Sequence, residues 1–509
     1  MSNGLTLLSD EQMQQFITKG YLKLNAEFPT SFHERILKQI NEVYDREGNV
    51  GNNLLPRIPE IGNIFEHSTV RGALTSLLGS GYIMSSHRHG HLTKGGAGSV
   101  FWHKDNYWFN EKIRNHRPWS ALIFYYTQDV TPDMGPSSIM PGTQNYYNLR
   151  GDDSEPWLPV CGKAGTLALI DYNLWHTATE NVSNIDRYMF KFQFFRMEAP
   201  AAPEWDNRNP VWTPPAELDG IDEHRLQWQS AWNWLSGSSV HAEAYVAAAS
   251  EAAPAEKQES LKACLEQLNN EDRQVRLRAI DDIGLLGSDG AGAIPDLARL
   301  LHETDEGISL NAAYALGSVG PDAIAPLIEG LRSTFHPTAC NAAHGLIECG
   351  AAAVPALIAL LEEGEEAGEA RAYAALALGE IGHDASAAIP SLISLLQDSS
   401  PFVRQHAVEA FGVMRLADSV VIDEVCKVLL EDPKDFIRFT AGLSLARMGP
   451  LAAQAVPALE SALTDSYRYV PSVAVDALDR IHTPEALTLL IAFLKRARWC
   501  PVTNRSSAF

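Results

Sequence analysis

His103 and Asp105 stand two residues apart in SVFWHKDNYWFN, residues 99 to 110, and His176 stands in DYNLWHTATENVSNIDR. Two imidazoles and one carboxylate are the donor set that holds a mononuclear iron on one face of an octahedron, leaving the other positions to a cosubstrate and oxygen. On an extended strand, residues two apart leave from the same face, so a slight bend at the strand end lets His103 and Asp105 converge. The pair alone decides nothing: in a chain with 16 histidines an H-x-D triplet turns up about once by chance, and a surface hydrogen-bonded pair reads the same. His176, the candidate third ligand, follows the predicted strand GTLALIDY as a rim residue should. Arg187, eleven residues further on, offers a guanidinium that grips a dicarboxylic cosubstrate through a forked pair of hydrogen bonds.

The elements that must position these residues are legible from periodicity. Ser9-Asp10-Glu11-Gln12 is a capping pattern that opens a helix ending in GYLKL, and a second helix runs near HERILKQINEVYD. Beyond residue 80 the chain breaks into short β-branched and aromatic runs: YIMSSHRHGHL, SVFWHKDNYWF, SALIFYYTQDV, GTLALIDYNLW and RYMFKFQFFRM. Turns such as DMGPSS and GKAG separate them, and short strands without intervening helices predict an antiparallel sandwich or barrel. His87, His89 and His91 alternate onto one strand face. That face lines the cavity and contacts cosubstrate or substrate, holds a second metal, or is structural. Lys94, just beyond, meets an anionic substrate or is simply exposed.

From about residue 257 the chain repeats itself. Short apolar helices open at AIPDLARLL, AIAPLIEGL, AVPALIALL, AIPSLISLL and AVPALESAL, each with a proline near the first turn, where no backbone N–H is needed. The preceding helices are expected to end in glycines, including Gly287, Gly317, Gly320, Gly350, Gly382 and Gly449. Two apolar helices per roughly thirty residues form a stacked solenoid, because one pair cannot bury its own face. Between the halves, Trp205, Trp212, Trp228, Trp232 and Trp234 are expected to pack partly on the barrel and partly on the repeats, with a helix at HRLQWQSAWNWL; the alternative is that all five simply finish the core of the first half. The small-residue stretch SGSSVHAEAYVAAASEAAPAE, which contains His241 and Glu243, reads as a linker. The division is therefore 1–199, a 200–256 extension and linker, and 257–500.

Net charge is −23, and residues from 251 onward carry 36 acidic against 20 basic side chains. Such a surface repels phosphate backbones, so nucleic acid is not an expected partner. No run of about eighteen apolar residues suggests a membrane span and no secretory pattern opens the chain, which makes cytoplasmic the expected compartment. Six scattered cysteines without a C-x-x-C pair read as reduced thiols.

Together, GYLKL, WHKD, WSALIFYYTQDV, MGPSSIMPGT and HTATEN with Arg187 behind it resemble the phytanoyl-CoA dioxygenase type of iron(II)- and 2-oxoglutarate-dependent oxygenase, over roughly residues 5 to 200. The repeats, with turns such as SSPFVRQHAVEAFG, resemble HEAT repeats of the short type found also in phycobilin lyases. The resemblance implies a multidomain chain: an N-terminal double-stranded β-helix (jelly roll, cupin-like) with flanking helices, and a C-terminal all-α HEAT-repeat solenoid. It implies Fe(II) on His103, Asp105 and His176, 2-oxoglutarate held by Arg187, and Trp119 near that cosubstrate. The implied reaction is hydroxylation of a C–H bond of a small-molecule or natural-product substrate with O2, releasing CO2 and succinate. Two rivals stand beside it. The solenoid recruits a protein partner whose side chain is hydroxylated, or the chain is an interaction scaffold with a vestigial oxygenase domain.

Overall fold

The computed structural model describes residues 4–105, 112–149, 156–218, 220–237, 254–416 and 418–496, so most of the small-residue linker, with His241 and Glu243, lies outside the described residues. Among the described residues the N-terminal half holds two sheets in which every pair of neighbours is antiparallel. The larger contains β1 (Tyr21–Leu24), β2 (Ile83–Thr93), β3 (Ser120–Tyr125), β6 (Leu167–Asp171) and β8 (Arg187–Phe195), in the order β1-β6-β3-β8-β2. The smaller is β5-β4-β7, from β4 (Ser137–Ile139), β5 (Leu158–Pro159) and β7 (His176–Ala178).

The alternation of β8 divides the interior. Tyr188, Phe190, Phe192 and Phe194 join the core beneath the N-terminal helices, while Met189 and Phe195 join the opposite core. Arg187, Lys191 and Gln193 share that second face by parity, so three polar side chains enter the jelly-roll interior on one strand. On the other face, the helix Asp10–Lys19 opens with a reciprocal capping box between Ser9 and Gln12. It ends at Gly20, and the YLKL that follows is strand β1 rather than the end of the helix.

The run around WHKD is not a strand. Among its described residues the one ladder contact is an isolated bridge between His103 and His176. The backbone is nonetheless extended enough to alternate: Lys104 turns away from its neighbours and donates to the carbonyls of Thr143 at 2.8 Å and Gln144 at 3.2 Å.

The C-terminal half is a solenoid of paired helices from Pro254–Gln267 to Pro484–Arg496. Gly317 does not end a helix. It lies inside Glu306–Val319, where an added Cβ would sit 2.6 Å from the carbonyl oxygen of Gly345, so its role is close helix contact. Residues His336–Glu362 are together long and apolar enough to cross a membrane, with an 18-residue stretch of mean hydropathy 1.7. They fold instead as helices of 14 and 9 residues joined through Gly350–Ala353, each shorter than the roughly 30 Å hydrocarbon layer at about 1.5 Å per residue. Five of the six cysteines are described, and all five are free.

The inner helices of the solenoid are buried almost all round, as in Glu306–Val319, His336–Cys349, Ala370–Ile381 and Pro401–Met414. Burial on every side means a helix covered twice, here by the outer helices and by residues of the N-terminal half such as Ile113, His116, Trp119 and Tyr147, and one apolar cluster runs unbroken from Phe124 and Tyr146 into the repeats. The hub of the junction is Glu380, which accepts from Asn115 at 2.5 Å, Arg117 at 2.7 Å and Trp119 Nε1 at 2.6 Å. Removing a buried charge partner costs about 3–5 kcal/mol. Glu380→Ala is therefore expected to lower the melting temperature clearly and to speed amide exchange in residues 112–119; an unchanged melting temperature contradicts this account of the junction.

The tryptophan segment is a wedge between the halves. Trp205, Trp212, Trp228 and Trp232 complete the core beneath the N-terminal helices, and Trp234 lies 5.3 Å from Trp119. The repeats are met by other residues of the helix Arg225–Leu235 and its entry. Ser230 reaches Glu348 at 2.6 Å, the Arg225 amide reaches Asp281 at 2.9 Å, and Leu226 fills the space beside Gly284.

Candidate active site

His103 and His176 exchange backbone hydrogen bonds, each 2.9 Å, across their isolated bridge. This brings their rings to 4.5 Å between centroids, and Asp105 two residues on closes the group, with one donor atom from each side chain within 4.8 Å of the others. In each imidazole Nδ1 lies 3.0 Å from the carbonyl of the residue two before it, Phe101 or Leu174. A carbonyl only accepts, so Nδ1 carries the proton and Nε2 keeps its lone pair, the tautomer that a metal requires. His176 Nε2 is buried without a hydrogen-bond partner and lies 3.6 Å from Asp105 Oδ1. Burial, aided by His176, lowers the pKa of His103 and favours the neutral ring. An orphaned lone pair of this kind costs about 1–3 kcal/mol unless something binds it. A divalent cation fits this donor set.

Arg187 opens β8 opposite Thr93 and is fully buried. Its guanidinium donates to the carbonyl of Gly135 and lies 5.7 Å from the Tyr126 ring, while Nε has no partner. The MGPSS turn can deliver that carbonyl only with glycine, since Gly135 has φ +64° and a Cβ there would lie 2.7 Å from the Thr179 oxygen. A buried guanidinium with unused donor capacity fits a carboxylate ligand.

Residues 8–189 match the family model described as phytanoyl-CoA dioxygenase, and residues 261–347, 354–446 and 422–505 match HEAT repeats. The N-terminal half is a phytanoyl-CoA dioxygenase-type domain. The chain is thus a non-haem iron dioxygenase that uses Fe(II) and 2-oxoglutarate, joined to a HEAT solenoid. Among solved structures it is similar to EctD from S. alaskensis with bound Fe, at 18% identity over 37% of this chain and 77% of that one, TM-score 0.33. It is also similar to the alpha-ketoglutarate-dependent carbocyclase SnoK from nogalamycin biosynthesis, at 16% identity over 42% and 97%, TM-score 0.32. A third, AviO1 from Streptomyces viridochromogenes Tue57, shows 16% identity over 39% and 99%, TM-score 0.31. No curated protein matches the chain.

Sequence reasoning missed Lys191 of the dioxygenase domain. Its ammonium donates to both oxygens of Asp105, at 2.7 and 2.8 Å, with both side chains buried. Burial alone would raise the Asp105 carboxyl; Lys191 and His176 overcome it and hold the group well below the usual carboxylate range. The signal was present in RYMFKFQFF, where one lysine shares the parity of Arg187 in an otherwise aromatic strand.

The remaining predicted residues separate. His91 faces the interior near Lys191, its Nε2 buried and unpartnered and its pKa pushed well below the usual value by burial first and Lys191 second. His89 packs edge-on to His91 at 4.7 Å and lies 3.2 Å from the Asn49 amide. His87 contacts the solenoid instead, its Nδ1 2.7 Å from the hydroxyl of Tyr469. Lys94 is exposed on the turn after β2, with no ion pair or side-chain hydrogen bond among the described residues. Trp119 lines the cavity that Asp105 also lines, but it does not sit beside Arg187. Its carbonyl accepts from Arg196, nine residues along from Arg187 and about 30 Å away at 3.3 Å per residue, and its indole is held by Glu380 and Arg447 of the solenoid.

A second cluster, His116 with Cys340 and His344, also brings donor atoms within 4.8 Å across the junction. Its two rings lie parallel, 9° apart at 3.8 Å, so their in-plane lone pairs cannot meet at one ion. His116 Nδ1 contacts Tyr314, His344 Nε2 accepts from the His116 amide, and the Cys340 thiol donates to the Arg114 carbonyl. Burial pushes His116 down to about 3 and Cys340 up to about 12. This is a neutral, hydrogen-bonded joint between the halves.

Proposed function

We propose that His103, Asp105 and His176 hold Fe(II), that Arg187 anchors the distal carboxylate of 2-oxoglutarate, and that the chain hydroxylates a C–H bond of a small molecule, releasing CO2 and succinate. The observation that carries this is the convergence of two tautomer-fixed imidazoles on an ionised, buried carboxylate, with an unpartnered nitrogen between them. With iron and 2-oxoglutarate bound, such a centre supplies the oxidant for an unactivated C–H bond. The protein's own residues do the rest. Lys191 keeps Asp105 charged and oriented, the backbone carbonyls of Phe101 and Leu174 hold both imidazole protons away from the centre, and the buried Arg187 selects a dicarboxylate.

A small substrate is favoured over a protein because the cavity lined by Asp105 is walled on its far side by the chain's own solenoid helices. The inner face on which a recruited protein would lie is covered by the dioxygenase domain. The test is a succinate-release screen with Fe(II) over amino acids, small acids, natural-product scaffolds and acyl thioesters; stimulation only by a folded protein substrate contradicts the proposal.

Arg187→Lys is expected to retain iron while raising the 2-oxoglutarate requirement tenfold or more, since one branch of a charged hydrogen-bond pair is worth about 1.5–3 kcal/mol. An unchanged apparent constant for 2-oxoglutarate would mean that another basic residue holds it.

A further inference from the structure

The cavity that Asp105 lines lies between two domains matched by different family models, and its far wall belongs to the solenoid. Helix Pro401–Met414 supplies Gln405 and Glu409, and helix Asp435–Met448 supplies Phe439 and Arg447. HEAT helices bury small and aliphatic side chains against their neighbours, as Ala407, Val408 and Ala410 do here. Gln405 and Glu409 break that rule on the face turned to the barrel. Gln405 is 1% exposed, yet its Oε1 has no hydrogen-bond partner. Glu409 uses Oε1 for Lys112 at 2.6 Å and Arg447 at 3.4 Å, while Oε2 is buried and unpartnered. Burial would raise the Glu409 carboxyl, but Lys112, Arg447 and His406 outweigh it and hold the group at about 2. Two orphaned acceptors thus line the cavity that Asp105 also lines, and a buried acceptor left unpaired is costly in the folded protein.

We propose that the solenoid forms the distal wall of the substrate pocket, and that Gln405 and Glu409 are specificity-determining residues accepting hydrogen bonds from the hydroxyl or amine groups of a small polar substrate. This rests on the reading of His103, Asp105 and His176 as the iron centre. The ion pairs around Glu409 balance its charge, so the pocket selects hydrogen-bond donors rather than a bare cation. It also explains why a solenoid is fused to an oxygenase: the repeats complete the pocket.

The test uses the full chain with Fe(II) and 2-oxoglutarate, and reads succinate release over two sets of probes. One set is polyols, amino sugars and amino acids; the other is straight-chain acyl thioesters that lack donors at the matching positions. The first set is expected to stimulate release. Gln405→Leu is expected to raise the KM of the stimulating compound tenfold or more while leaving the melting temperature equal or higher, because it removes an unsatisfied buried acceptor. Gln405→Met serves as a second variant of closer shape. A purely structural Gln405 predicts the reverse, a lower melting temperature with unchanged KM, and that result overturns the proposal. So does stimulation by acyl thioesters alone or by no donor-bearing compound. Iron stoichiometry, measured separately, reports on the centre itself: a wild-type chain that binds no iron defeats the underlying reading, whereas iron-loaded protein with an indifferent Gln405 defeats only the wall.

Discussion

Asp105→Ala is expected to abolish succinate-linked oxidation and to weaken iron binding by more than 100-fold. Losing a group that merely orients a metal ligand costs roughly 10–100-fold in affinity, and Asp105 is proposed as a ligand, the only anionic one of the three. The substitution has a second consequence that the sequence did not suggest. Lys191 loses the carboxylate that accepts its ammonium at 2.7 and 2.8 Å, and breaking a buried ion pair by removing one member costs about 3–5 kcal/mol. Asp105→Ala should therefore lower the melting temperature even without metal. Asp105→Asn, which keeps an acceptor for Lys191, should lose activity with a smaller loss of stability. Wild-type turnover in either variant contradicts the site.

A fragment ending near residue 250 is expected to aggregate or bind apolar dye and to lose turnover. It strips the solenoid from Ile113, Tyr146 and Met197, which belong to the cluster that continues into the repeats, and it removes Glu380 from Asn115, Arg117 and Trp119. Re-exposing even two or three such apolar side chains costs about 1.5–3 kcal/mol each. A soluble, monodisperse and fully active fragment would show that the dioxygenase domain is complete without its partner half.

What could be read from the sequence followed local rules. The capping box at Ser9, the strand β8 in RYMFKFQFF and the prolines of the short helices are signals carried by a few neighbouring residues, and each element formed where they lie. The donor types of His103, Asp105 and His176 were legible because metal chemistry restricts residue choice. Their means of convergence was not. An isolated bridge replaced the expected strand, because pairing with β7 depends on contacts 73 residues away in the chain. Lys191 was hidden by the aromatic run around it, although parity with Arg187 marked it. The surroundings of Trp119 were not legible for a different reason: they are set by Glu380 and Arg447, and no local pattern reports docking between a barrel and a solenoid. The repeat also carried an unread signal, since Arg404 and Arg438 pair with Asp432 and Asp465, one unit apart.

The most direct test of the centre is anaerobic equilibrium dialysis of the full-length chain against Fe(II), with and without 2-oxoglutarate. The account predicts one tightly held iron per chain, tighter with 2-oxoglutarate, and loss of that iron in His176→Ala. Retention of one iron by His176→Ala at wild-type affinity contradicts it.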